Sequence, residues 1–317
     1  MASLDTQNPD TISHVKMTAP AVRSQPVHLA LAVCSSVLLA FSVIAAPRGA
    51  MSSGKFLIEA TVLLLPGLLI APAFFHERGA WDRREAALVL PWTLVLAALV
   101  TQAAPTAVSH AFPLRDDLWR NMDMHLGISV PGIMAFTDSH PFLASLLRFS
   151  YYWTLHPIML LAMFLPPLMG KRVAAQRFVL VNALAFVLAL PCMLLLPAIG
   201  PWVAWHFPPN IAQRAIELNI VSLRRGIMSS ADSFGGIICF PSFHVFWAVV
   251  SAQALQPFRI LRYPAILIAA LVTFSTVTTG WHYGVDVIGG LVLAAVTTYI
   301  ASLLLASEDS FRRHSGV

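Results

Sequence analysis

The sequence predicts an all-α membrane protein, a polytopic bundle of about eight transmembrane helices. Of its 317 residues, 57% are hydrophobic and only 11% are charged, whereas a soluble protein is typically about 25% charged. Its apolar residues fall in runs close to the roughly 20 residues that a helix needs to cross about 30 Å of hydrocarbon. Runs of this kind must be helical, because the bilayer offers no partners for unpaired backbone groups.

The predicted organisation is a single transmembrane domain between two tails. Residues 1–27 are polar and predict a disordered cytosolic tail, 28–306 form the transmembrane domain, and 307–317 form a second cytosolic tail. The first apolar run, 29–46, has a signal peptide as its alternative interpretation. It exceeds the roughly 7–15 residues of a signal core, so we favour a retained helix. The remaining runs lie at about 56–75, 86–108, 150–169, 178–199, 238–256, 264–281 and 285–306.

The basic residues of the connecting segments predict the orientation. Among the short connecting segments, 76–85, 170–177 and 257–263 carry eight lysines and arginines and the C-terminal tail two more, whereas the opposite short connections hold only Arg48 and Lys55. The positive-inside rule then places both termini in the cytoplasm. Segments 109–149 and 200–237 fall on the opposite side. We therefore expect a bacterial inner-membrane protein with its site facing the periplasm.

Other features narrow the function classes. The net charge of +5 is spread over loops without a basic run, so a nucleic-acid partner is not indicated. The three cysteines, Cys34, Cys192 and Cys239, lie in or beside apolar runs without paired spacing. They predict buried thiols, with neither a disulfide framework nor a zinc site.

The segment 109–149 is amphipathic and carries unusual charges. It contains Arg115, Asp116, Arg120 and Asp123, which we predict to line the substrate from an interfacial helix. Asp116, Asp123 and His125 could alternatively be metal ligands, although their spacing is not diagnostic of a metal.

A histidine and an aspartate four residues apart begin the last apolar run. His282 and Asp286 would lie on one face of a helix. A carboxylate bonded to one ring nitrogen fixes the tautomer and leaves the other nitrogen free as a base or nucleophile. Taken alone, the pair is a weak signal, because a structural hydrogen bond has the same spacing.

A second histidine stands at the start of another run, in Pro241-Ser-Phe-His244. Ser242 predicts a helix N-cap, and helix N-termini bind phosphate through free N–H groups. His244 would then stand beside a bound anion as a proton donor. Arg224 and Arg225 are the candidate phosphate-binding cations, because the guanidinium fork suits phosphate. A loop contacting lipid headgroups is the alternative for this pair.

These motifs resemble those of a known family. Pro241-Ser-Phe-His244 and Gly280-Trp-His-Tyr-Gly-Val-Asp286 are similar to two signatures of the type 2 phosphatidic acid phosphatase superfamily. Leu223-Arg-Arg-Gly226 and Gly200-Pro201 resemble in particular its inositol phosphorylceramide synthase-like branch. The similarity covers about residues 197–295, and the catalytic motifs would lie within 200–295.

The resemblance implies a six-helix catalytic core and a phosphohistidine mechanism without metal or cofactor. His282 would be the nucleophile, Asp286 its orienting carboxylate and His244 the general acid. Ser242 and the backbone of Phe243 would hold phosphate oxygens. The substrate would be a phospholipid, or an isoprenoid or sphingolipid phosphate.

The sequence also departs from the family pattern. The arginine expected about six residues before the nucleophile is absent, since that stretch reads Ser275-Thr276. The lysine expected seven residues before Arg224 is Glu217. Phe243 replaces the glycine usual between serine and histidine. Arg225, Arg115 or Arg120 would have to supply the missing positive charge.

Three functions fit these motifs. If water accepts the phosphoryl group, the protein is a lipid phosphatase, which is the function we favour. If a lipid or polyol hydroxyl accepts it, the protein is a phosphotransferase. The third is a non-enzymatic lipid or anion transporter. A transporter site of this kind is typically formed by the ends of half-helices at mid-membrane, whereas the candidate residues here lie at helix ends near the surface. The substrate lipid and the oligomeric state stay open.

Overall fold

The computed structural model describes residues 26–45, 81–227 and 238–315 of the chain. Within these segments every regular element is a helix and no strand occurs, which confirms the predicted all-α membrane bundle. The predictions for residues 1–25 and for the apolar run at 56–75 lie outside the described residues. The number of about eight spans therefore stays a prediction.

We number the α-helices in chain order. The first are α1 (Pro26–Ile44), α2 (Trp81–His110), α3 (Asp116–His125), α4 (Val130–Asp138) and α5 (Pro141–Phe149), followed by a π-helical turn (Ser150–Thr154). The others are α6 (Leu155–Leu168), α7 (Arg172–Leu195), α8 (Pro201–Ala204), α9 (Ile211–Arg224), α10 (Phe243–Ala254), α11 (Arg262–Thr278) and α12 (Gly284–Ser315).

Four helical stretches are long and apolar enough to cross a membrane: Pro26–Ile44, Val89–His110, Arg172–Leu195 and Gly284–Ser307. At 1.5 Å per residue, a 24-residue helix such as α7 rises about 36 Å, slightly more than the hydrocarbon thickness. Helices α10 and α11 are apolar but shorter. These lengths indicate an integral membrane protein.

Helix α7 lies at the centre of the packing. It contacts α1, α2, α6, α10 and α12. Its buried side chains include Ala175, Ala183, Ala185 and Ala189. Small side chains allow close approach of helix backbones, which is how membrane helices associate without a strong hydrophobic driving force.

Several helix boundaries differ from the predicted runs. Helix α1 begins at Pro26, inside the predicted tail, because proline is well suited to the first helical position. Helix α10 begins only at Phe243, after Ser242 as its N-cap. Helix α12 continues to Ser315, so most of the predicted C-terminal tail is helical.

The segment 109–149 forms three short helices rather than one. Helix α3 packs against α8 and the start of α12, while α4 and α5 pack against α11. This segment thus lies at the end of the bundle where the two histidine motifs are found.

Candidate active site

His282 and Asp286 lie at the start of α12 and are joined by a hydrogen bond. The distance from His282 Nδ1 to Asp286 Oδ2 is 3.2 Å, and both side chains are buried. The backbone N–H of Tyr283 donates to the same oxygen at 2.9 Å. An acidic residue in the first turn that accepts the N–H preceding the helix is one half of a capping box. The helix start therefore holds the carboxylate that orients the imidazole.

His244 lies at the start of α10 and meets His282 in space. Their ring centroids are 5.6 Å apart, with an angle of 61° between the planes. Ser242 caps α10, since its Oγ accepts the backbone N–H of Val245 at 3.4 Å. Two imidazoles from separate motifs thus lie together at one end of the bundle.

The backbone of the two motifs is in direct contact. The N–H of Ser242 donates to the carbonyl oxygen of Asp286 at 3.1 Å. One turn further along α12, a Cβ on Gly290 would lie 2.5 Å from the Ser242 carbonyl oxygen. A side chain at position 290 would therefore push the motifs apart.

Two neighbours of these residues were not expected from the sequence. The Cys239 thiol donates to Asp286 Oδ2 at 3.1 Å. The Tyr151 ring stacks on His244, with centroids 4.7 Å apart and planes inclined by 14°. The sequence predicted only a buried thiol at Cys239, and nothing in chain spacing indicates either contact.

Cys239, His282 and Asp286 also have the spacing of metal ligands. Their ligand atoms lie within 4.8 Å of one another, and it is the one such group among the residues that the structure describes. Asp116, Asp123 and His125 do not form one. His125 is exposed and its Nδ1 lies 2.7 Å from the Asn121 carbonyl oxygen.

Arg224 reaches the neighbourhood of the site from α9. Its Nη2 donates to the Phe112 carbonyl oxygen at 3.0 Å, while its Nη1 is buried without a partner among the described residues. The side chain lines a cavity of about 20 Å³ together with Cys239 and Phe240. Arg225 follows as the exposed C-cap. Within the described segments, no hydrogen bond joins Arg224 to either histidine.

The other two candidate arginines lie at α3. Arg120 Nη1 donates to the Ala204 carbonyl oxygen at 2.9 Å, and Nη2 lies 3.3 Å from Asp117 Oδ1. Its Nε is buried and has no partner in the described part of the chain. Arg115 is exposed just before α3. Nε of Arg120 and Nη1 of Arg224 are thus buried guanidinium nitrogens without a hydrogen-bond partner among the described residues.

Asp116 and Asp123 are buried and bind protein groups. Asp116 accepts the N–H groups of Ile199 and Gly200, with Oδ1 at 3.0 and 2.9 Å. Asp123 accepts those of Gly284 and Val285 at 2.9 and 2.8 Å. Burial raises the pKa of both carboxyls, that of Asp123 to about 6. These contacts do not test their predicted contact with substrate, which stays a prediction.

The fold and this site define an all-α membrane protein with a paired-histidine centre at one end of its bundle. The chain belongs to the PAP2 superfamily, whose family model matches residues 117–300. This confirms the resemblance at the level of the superfamily, which comprises phosphatases and phosphotransferases and implies substrates of the phosphorylated-lipid type. Searches of curated proteins and of solved structures returned no significant match. The synthase-like branch stays a prediction.

Proposed function

We propose that the protein is a lipid phosphatase that hydrolyses a lipid phosphate monoester or diphosphate through a phosphohistidine. The observation that carries the proposal is the arrangement of three side chains: His282 bonded to Asp286, with the ring of His244 5.6 Å from that of His282. This is the minimum set for a positioned nucleophile with a proton donor beside it. Membership of the PAP2 superfamily supports the same reaction class.

The first half-reaction would transfer the phosphoryl group to His282. Because Nδ1 is bonded to Asp286, the Nε2 lone pair is the one that attacks phosphorus. The bond from phosphorus to the lipid oxygen breaks, and protonated His244 gives its proton to that leaving oxygen. A phosphate dianion next to His244 favours the protonated imidazole.

The second half-reaction would return the enzyme to its starting state. Neutral His244 takes a proton from water, whose oxygen attacks phosphorus and displaces Nε2 of His282. Inorganic phosphate leaves, and His244 is protonated again. The same residue thus acts first as acid and then as base.

The phosphate oxygens would be held at the start of α10 and by arginines. The Ser242 hydroxyl accepts from Val245, so its hydrogen is still available as a donor. The backbone N–H of Phe243, in the first turn of α10, is the second donor. Arg224 offers its buried unpartnered Nη1, with the exposed Arg225 beside it. By the positive-inside rule this site would face the non-cytoplasmic side, in a bacterial inner membrane the periplasm.

The test is release of inorganic phosphate from lipid phosphates by purified protein in detergent. We expect phosphate from at least one member of a panel containing phosphatidic acid, an isoprenoid diphosphate and a sphingolipid phosphate. The His282→Asn variant should lose activity by about four orders of magnitude or more, as when a nucleophile is removed. His125→Asn, at an exposed histidine of α3, is the matched control and should keep it. Equal activity of the two variants would overturn the proposal.

A phosphotransferase is the second candidate, and one structural observation favours it. An open cleft of about 450 Å³ is lined by Trp202, Phe207, Arg214 and Glu217, among others. Trp202 packs edge-on to Trp281, with centroids 5.8 Å apart, and Trp281 precedes His282. A polyol headgroup would fit such a cleft of charged and aromatic side chains. Adding inositol or glycerol to the labelled reaction would divert phosphate into a phosphomonoester of the added polyol if this candidate is right.

A further inference from the structure

One face of α3 makes contacts with both histidine motifs. Asp116, Trp119 and Asp123 follow the i, i+3, i+7 pattern of a single helix face, and all three are buried. Asp117 and Leu118, which lie between them in sequence, are exposed. The face that carries two carboxylates is therefore the one that is turned towards the bundle.

Asp123 binds the first free N–H groups of α12. Its Oδ2 accepts from Gly284 and its Oδ1 from Val285, at 2.9 and 2.8 Å. The first N–H groups of a helix have no partner within the helix. A carboxylate there forms charge-assisted hydrogen bonds and is also stabilised by the helix dipole. The start of α12 packs closely against this part of the chain, since a Cβ on Gly284 would lie 2.6 Å from the Ile128 side chain and 3.3 Å from Asp123 Oδ1.

The contacts of α3 extend to its other end. The Tyr283 hydroxyl lies 3.0 Å from both Asp116 Oδ1 and the Gly200 carbonyl oxygen. Trp119 stacks on Phe240, with centroids 4.2 Å apart, and Phe240 lies just before the motif of His244. Each of the three residues between His282 and Asp286 is thus hydrogen-bonded to a carboxylate of α3.

We propose that Asp123 is a positioning residue for the proposed nucleophile: from α3 it fixes the start of α12 and thereby the geometry of His282 and Asp286. This inference rests on the proposed function. Asp123 acts through the backbone, because its two oxygens bind the Gly284 and Val285 amides and it contacts neither histidine ring among the described contacts. A positioning role of this kind needs no contact between Asp123 and the substrate.

The substitution Asp123→Asn separates positioning from substrate binding. An asparagine oxygen can accept one of the two N–H groups, while its NH₂ group faces the other as a second donor. The start of α12 then shifts, and a displacement of about 1 Å can cost about a hundredfold in rate. We expect kcat to fall about tenfold to a hundredfold while KM stays within about threefold of the wild type. Asp117→Asn is the matched control, the same change on the same helix at a side chain that is 81% exposed.

Hydrogen–deuterium exchange gives a readout that does not need activity. In the wild type the Gly284 and Val285 amides are held by Asp123, and we expect them to exchange faster in Asp123→Asn but not in Asp117→Asn. If Asp123→Asn does not fold, Asp123→Glu, which keeps the charge but displaces the two oxygens by one methylene, is the second variant, with kcat and the exchange of the Gly284 and Val285 amides as the same readouts.

The outcomes are distinct for the two proposals. Wild-type kcat in folded Asp123→Asn, or a rise in KM at unchanged kcat, would overturn the positioning role. Unchanged exchange of the Gly284 and Val285 amides would overturn it as well, even in an inactive protein. A wild type that hydrolyses no lipid phosphate, with faster exchange in Asp123→Asn, would reject the proposed function and retain the structural role of α3.

Discussion

The Cys239 thiol and the Asp286 carboxylate form a buried hydrogen bond, with 3.1 Å between Sγ and Oδ2. Because His282 Nδ1 binds the same oxygen at 3.2 Å, one carboxylate oxygen joins a thiol and an imidazole. Thiolate, imidazole and carboxylate are the ligands that zinc prefers. We therefore predict that Zn²⁺ inhibits the proposed reaction. It would displace the Cys239 thiol proton and bind Nδ1 of His282, whose proton moves to Nε2, the nitrogen proposed to attack phosphorus.

The measurement is phosphate release against Zn²⁺ concentration, with a chelator added to restore activity. Cys239→Ser replaces the soft ligand and should weaken inhibition at least about tenfold. Cys192→Ser, in the last turn of α7, is the control and should leave the inhibition unchanged. Equal sensitivity of the Cys239→Ser protein and the wild type would contradict the prediction.

Removing the ring stacked on His244 should lower activity moderately. An aromatic pair contributes about 0.5–1.5 kcal/mol beyond its buried area, which corresponds to about a twofold to tenfold change. Tyr151→Leu should lower kcat by such a factor, because His244 is less well oriented. Tyr151→Phe keeps the ring and should retain nearly full activity. A loss of the same size in both variants would assign the effect to the hydroxyl group instead.

A side chain at position 290 should separate the two motifs. In Gly290→Ala the new Cβ would lie 2.5 Å from the Ser242 carbonyl oxygen. This oxygen is a backbone atom, which cannot move aside as the end of a flexible side chain can. Overpacking of this kind costs about 1–3 kcal/mol, so the thermal midpoint in detergent and kcat should both fall. Gly132→Ala is the control, because its Cβ would meet only the Ser129 side chain, at 3.1 Å. An unchanged midpoint in Gly290→Ala would refute the expected clash.

The stability of the protein should decrease as the pH rises from about 4 to about 6. Burial raises the pKa of Asp123 to about 6 from its ordinary value of 3.8, and it also raises that of Asp116. Between the two values the folded protein binds more protons than the unfolded chain, so the free energy of unfolding falls with increasing pH. Thermal midpoints of wild type and Asp123→Asn across this range give the measurement. The thermal midpoint should fall less steeply with pH in Asp123→Asn than in the wild type. An identical dependence on pH in the two proteins would exclude Asp123 as its source.

The sequence was sufficient to predict the features that follow from local spacing. His282 and Asp286 are four residues apart, so a helix alone brings them together, and Ser242 marks the start of α10. The helical class followed from apolar runs for which the bilayer allows no other structure. Helix ends were less predictable, since α12 continues through polar residues to Ser315.

Contacts between distant segments could not be predicted in this way. The partners of Asp123 are backbone amides, which every residue type except proline provides, so no complementary side chain marks them in the sequence. The stacking of Tyr151 on His244 could not be predicted either, because any apolar surface could have covered that ring. The charges of α3 stand out in the sequence, but their backbone partners are visible only in the three-dimensional structure.

The length of α12 has a consequence for how the site responds to its surroundings. Its 32 residues rise about 48 Å, well beyond the thickness of the hydrocarbon layer. Membrane helices adjust to thinner or thicker lipid by changing their tilt. If Asp123 fixes one end as proposed, such a helix would pivot about that end, and most of the movement would fall at the far end, away from the imidazoles.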